Sequence, residues 1–117
     1  MSNTTNLVLP LIEAAQAQKH ITHNEALTTL DAVVQLSASA RDMTGPPDGP
    51  EDGVSYLVGE NPDGAWAGNA GSVATWQDGV WRLRTPRVGW LAWVEDERCL
   101  CVFDGTRWLS LVTADAP

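Results

Sequence analysis

The chain has little tyrosine, phenylalanine or positive charge, and no long apolar run. With one Tyr and one Phe in 117 residues, aromatic packing falls to six Trp. Trp buries a large area but keeps one N–H that needs an acceptor, so it suits cores and interfaces alike. Seven Lys and Arg stand against fifteen Asp and Glu, a formal charge of −8. Such a surface repels phosphates, which argues against nucleic-acid binding and against docking on anionic lipid. The cluster Arg82, Arg84 and Arg87 is too short for a nucleic-acid footprint. No stretch approaches the roughly 20 apolar residues that cross a bilayer. The opening Met1-Ser-Asn-Thr-Thr-Asn6 lacks the basic and apolar regions of a secretory signal. Synthesis in the cytoplasm is expected, with export only as part of an assembly.

Cysteine is also scarce. Cys99 and Cys101 are the only two. At i and i+2 of a strand they share a face roughly 7 Å apart, which is awkward for a disulfide. Two small buried hydrophobes are the expectation. At 44% hydrophobic, the composition supports one folded domain rather than disorder.

Residues 1–10 run from polar to Leu7-Val-Leu-Pro10 and read as an extended arm. Residues 11–20, rich in Ala and Gln, have good helix propensity. Thr22 and Glu25 make a capping box for a helix of about 14 residues. Leu27, Leu30 and Val34 recur at i, i+3 and i+7, with Ala26 and Val33 beside them, while Thr28, Asp31 and Gln35 fall on the other side. Arm and helix are assigned to 1–40, and residues 41–53, dense in Pro, Gly and acids, to a linker. Residues 54–113 read as β: strands at 54–58, 72–77, 80–85, 89–94 and 100–103, then a last hairpin across Asp104-Gly105. Asp78-Gly79 is the strongest hairpin signal. Asp-Gly followed by Trp recurs at Trp66, Trp81 and Trp108, a turn with an aromatic to pin the register. The fold class is α+β, with arm and helix followed by a small antiparallel β-meander or sandwich.

No pattern for catalysis appears. There is no Gly-x-Ser-x-Gly elbow, no Cys–His signature and no phosphate loop. Carboxylates sit in turns beside Gly, where they bond their own backbone. His20 and His23 with Glu25 could approach a zinc ion, but no third strong ligand has fixed spacing. Neither cofactor nor metal is expected, and the chain does not read as an enzyme. Gln16, Gln18, Lys19, His20, His23 and Asn24 instead form a polar patch suited to a protein partner. Exposed Trp can stack on sugar rings, and Trp90, Trp93 and Trp108 are the candidates for a host glycan.

Two blocks carry a family resemblance. Leu9-Pro-Leu-Ile-Glu-Ala-Ala-Gln-Ala-Gln-Lys-His-Ile-Thr-His-Asn-Glu-Ala-Leu27 with Leu30-Asp-Ala-Val-Val-Gln-Leu36 is the first. The second comprises Asp52-Gly-Val-Ser-Tyr-Leu-Val-Gly59, Gly64-Ala-Trp-Ala-Gly68, Trp76-Gln-Asp-Gly-Val-Trp81 and Thr85-Pro-Arg-Val-Gly-Trp90. Together they resemble a domain of formally unknown function found in alphaproteobacterial prophages and gene transfer agents. There it resembles the virion-proximal part of a tail fibre, often with more sequence after it, whereas this chain stops at Pro117. The resemblance implies a structural protein of the virion tail or baseplate. It also implies a homotrimer and a baseplate or tail-tip hub protein as partner. The polar patch would then contact the tail, and Leu27, Leu30 and Val34 would face other copies.

Overall fold

A computed structural model describes residues 3–11 and 19–113, apart from the side chains of 19, 20, 112 and 113. The chain divides into two compact units, Met1–Gln35 and Leu36–Pro117. The division falls earlier than residue 40 because Leu36 begins a strand-like segment that pairs within the second unit.

In the first unit, helix α1 spans Lys19–Val33. The expected cap is displaced: Thr22 and Glu25 lie inside the helix, which starts upstream. The Glu25 carbonyl instead accepts from the hydroxyls of Thr28 (2.9 Å) and Thr29 (3.0 Å). The extended arm is also corrected. Residues 3–10 fold back on themselves, with an antiparallel bridge between Asn3 and Pro10 and Thr4 N–H donating to the Leu9 carbonyl at 2.9 Å. The Thr4 hydroxyl accepts from Leu9 N–H at 2.8 Å, and Val8 adopts φ +56°. Asp31 holds this turn to the helix. Its carboxylate accepts from the N–H groups of Asn6 (2.8 Å) and Leu7, and its carbonyl accepts from the Asn6 side chain (3.2 Å).

The second unit is a small sandwich. Strands β2 (Ser55–Leu57), β3 (Val73–Gln77) and β4 (Val80–Arg84) form an antiparallel sheet in that order. Strands β1 (Ser37–Ala38), β5 (Leu91–Val94), β6 (Cys99–Phe103) and β7 (Trp108–Thr113) form the other. The expected strands and hairpins are present. Asp78 and Gly79, at φ +54° and +76°, both take the left-handed conformation that a tight two-residue hairpin needs. Only β1, which pairs parallel to β5, had no local signal.

Residues 36–40 stitch the two sheets along one side. The carbonyls of Leu36 and Ala38 accept from Trp93 and Glu95 (2.9 and 2.8 Å). Ser39 N–H donates to the Ser55 carbonyl (2.8 Å), and the Ala40 carbonyl accepts from Leu57 N–H (3.0 Å). The span read as a linker is also bonded to the β-unit. Met43 bridges Val58, and the carbonyls of Met43 and Thr44 accept from Gly59 and Asp63 (both 2.7 Å). Between the sheets, Leu57 and Val73 pack with Ala38, Val94, Cys99, Cys101, Phe103 and Trp108. The Ser55 and Thr75 hydroxyls join at 2.8 Å, a paired polar contact within buried surroundings.

Candidate functional site

The first candidate is α1. Gln16 and Gln18 lie outside the described residues, and Lys19 and His20 open the helix without described side chains. His23 is exposed and Asn24 half-buried. Ala26, Leu27, Leu30, Val33 and Val34 fall within about a third of the circumference at ~3.6 residues per turn. The buried side chains are nevertheless Asp31 and Ala32, whereas Leu30 and Val34 are 45% and 43% exposed. The helix therefore buries Asp31, which holds the arm, and Ala32, with Leu27 and Val33 half-buried. Leu30, Val34 and His23 are left exposed.

The second candidate is the Trp set. Trp108 is corrected as a glycan-facing residue. It is 5% exposed, packs on Phe103 at 5.4 Å between centroids, and spends its indole N–H on the Gly71 carbonyl at 3.0 Å. Trp90 packs half-buried against the main core, and Trp93 is half-buried on β5. The aromatic cluster lies elsewhere, on the outer face of β2–β3–β4. Tyr56, Trp66, Trp76 and Trp81 meet there at centroid distances of 5.1–6.1 Å, mostly edge to face. Edge-to-face contacts build a core rather than a flat stacking platform. Trp66 is wholly buried, and its Nε1 has no hydrogen-bond partner among the described residues.

The third candidate escaped the sequence reading. A cleft of about 520 Å³ opens where the loops after β2, before β3 and between β6 and β7 converge. Arg41, Asp42, Thr44, Glu60, Thr106 and Arg107 supply its polar groups, and Val58, Ala70, Gly71 and Trp108 its apolar wall. Arg41 is committed. Its guanidinium donates to both Glu97 carboxylate oxygens (2.9 and 3.0 Å) and to the Trp108 carbonyl (3.0 Å). The Arg41 hydrogen bonds hold the Glu97 carboxyl below the usual carboxylate range, and they raise the Arg41 pKa in turn. Asp104 Oδ1 accepts from Thr106 N–H (2.8 Å) and Arg107 N–H (2.9 Å), which fixes the turn beneath Arg107 and lowers the Asp104 pKa. Asp42 (φ +61°) and Asn61 (φ +53°) sit in left-handed backbone at or near the rim. No local pattern could have located this cleft, because its residues come from four separate loops and strand ends.

Elsewhere in the unit, Cys99 and Cys101 are buried free thiols with sulfurs 3.6 Å apart. Burial, reinforced by the bond to Cys99, pushes the Cys101 thiol up to about 12, so it is inert. Among the described residues, no three of His, Cys, Asp and Glu gather to hold a metal ion. No helix among them is long and apolar enough to cross a membrane.

A single helix thus precedes a small, mainly antiparallel sandwich. Residues 23–109 match the family described as protein of unknown function (DUF2793), and the chain belongs to that family. No curated protein matches it.

Proposed function

We propose that this chain is a structural protein of a phage or gene-transfer-agent tail. In this reading it is the virion-proximal attachment domain that anchors a fibre to a baseplate or tail-tip hub. It acts by assembly rather than catalysis. The observation that carries the reading is the likeness of the Leu9–Leu27 run and the later Trp-rich blocks to tail-fibre openings, in a chain whose residues 23–109 match a family of unknown function. The solvent-facing side of α1 is compatible with it. His23 shares a helix side with Leu30 and Val34, two and three turns further on, which are left 45% and 43% exposed, so a neighbouring copy or the hub has apolar area to cover. Lys19, His20 and His23 would meet the tail, and Leu27, Leu30 and Val34 other copies around a three-fold axis.

The test is incorporation. Particles assembled with Lys19→Ala and His20→Ala together should carry much less of the chain than wild type. Unchanged incorporation would remove the polar patch from the tail contact.

The cleft favours a second reading, a glycan-binding module. Asp42, Glu60, Thr44, Thr106 and Arg107 offer both donors and acceptors, as sugar hydroxyls require, and the volume lies within the usual range of ligand sites. A saturable change in Trp fluorescence on titration with host capsule or lipopolysaccharide is the expected sign. A flat titration removes this reading.

A further inference from the structure

Sheet edges are templates for pairing, and proteins blunt them with charge, proline, brevity or cover. Here the two sheets are closed along one side by residues 36–40, which bond to β5 and to β2. Two edges remain, β4 and β7. They are not treated alike. Strand β4 carries Arg82 and Arg84, whereas β7, Trp108-Leu-Ser-Leu-Val-Thr113, contains no charge and no proline across six residues. Arg41 takes the Trp108 carbonyl at the start of β7. Beyond it, among the described residues, no strand pairs with the far side of β7.

Within strands β5, β6 and β7 the outer face of the same sheet also carries no charge, and the Glu95 carboxylate, which accepts from the Ser37 hydroxyl at 2.7 Å, stands only at its β1 margin. Leu91, Val102 and Leu109 form one cross-strand row, and Trp93 and Leu100 another. Leu91 is 52% exposed and Leu109 37%, and Leu111, beside the register shift, is 59% exposed. In a chain of net charge −8, most surfaces of two copies repel each other. An uncharged face is where like chains meet without that repulsion, whereas a basic partner would gain nothing from it.

We propose that the open edge of β7, with the uncharged outer face of β5–β6–β7, is a contact between copies of this chain. It rests on the reading above that copies assemble, and it assigns them a surface separate from α1. Three strands at about 4.8 Å and five residues at about 3.3 Å present roughly 14 by 17 Å of flat sheet. That is well short of the roughly 800 Å² hidden per partner in a standard interface. The face alone is therefore too small, and the edge must add main-chain hydrogen bonds to a neighbour's strand.

Light scattering after size exclusion, over a concentration series, tests this. The full chain is compared with Leu109→Lys plus Leu111→Lys, with Ser110→Pro, and with Leu30→Lys plus Val34→Lys on α1. The wild type should weigh a multiple of 12.6 kDa, and both β7 variants should fall toward one copy with the near-ultraviolet Trp signal intact. A wild type of one-copy mass at every concentration overturns the proposal, as do β7 variants that keep the wild-type mass. If only the α1 variant dissociates, the β7 contact is gone while the fibre reading keeps its oligomer. Hydrogen exchange on the unaltered chain needs no variant. Amides of β7 should exchange more slowly as concentration rises, and exchange independent of concentration also sinks the proposal.

Discussion

Asp31 shows how one residue can reorient an element. By helical periodicity it belongs with Thr28 and Gln35 on the side away from the Leu27–Leu30–Val34 stripe. That side would ordinarily face water. In the structure Asp31 is 2% exposed because its carboxylate collects the Asn6 and Leu7 N–H groups. Replacing it removes the acceptor for two backbone donors at a part-buried site. Asp31→Ala should therefore destabilise the first unit by about 1–3 kcal/mol, the usual cost of stranding such groups. Faster amide exchange at Asn6 and Leu7, with the β-unit amides unchanged, is the expected signature. Equal exchange in variant and wild type would mean that the arm is held by something else.

At the scale of elements, the cleft depends on how closely two loops approach. A Cβ on Gly59 would sit 2.8 Å from the Asp42 carbonyl carbon, and the obstacle is backbone that cannot swing aside. Gly59→Ala should force the 41–44 segment away from the end of β2, breaking the 2.7 Å bond from Gly59 N–H to the Met43 carbonyl. Overpacking of this kind costs about 1–3 kcal/mol. A lower midpoint of thermal unfolding checks it, and an unchanged midpoint would show that the loops tolerate the extra methyl. Gly79, which unlike Gly59 is at positive φ, has nothing within 4 Å of an added Cβ, so its replacement costs backbone strain alone.

For the whole molecule, the acidic balance and the Arg41–Glu97 pair set the response to pH. Arg41 donates to both Glu97 oxygens and lowers the Glu97 pKa, so the folded state favours the charged carboxylate. Stability from this pair is fully present above the unfolded value near 4.3 and is lost as pH falls through the lowered folded value. The exposed Asp104 carboxylate adds in the same direction. The Glu97 side chain is 41% exposed, so solvent and salt screen the pair and its contribution stays below about 1 kcal/mol. Thermal melts should show a modest loss between about pH 5 and pH 3 that Glu97→Gln diminishes. A variant with the wild-type pH profile would show that the pair contributes nothing.

Local chemistry determined much of this protein. Asp78-Gly79 and Asp104-Gly105 specify turns because glycine accepts positive φ and aspartate bonds its own backbone, and each turn fixes the strands beside it. The buried Cys99 and Cys101 follow from alternation along their strand, whereas Trp66, in a 3-10 turn, and Trp108 are buried by packing that alternation did not specify. Helix α1 follows from propensity, though not its start, because good helix formers upstream override a capping box. Only the tertiary structure decided the rest. Which side of α1 is buried was settled by Asp31 meeting an arm about 25 residues away in sequence. Strand β1, two residues long, exists because the edges of β5 and β2 offer it partners. The cleft and the uncharged β7 edge come from segments that meet only after folding. Spacing along a chain records which neighbours are compatible, whereas contacts between distant segments are decided by which of them satisfy each other's donors, acceptors and volume.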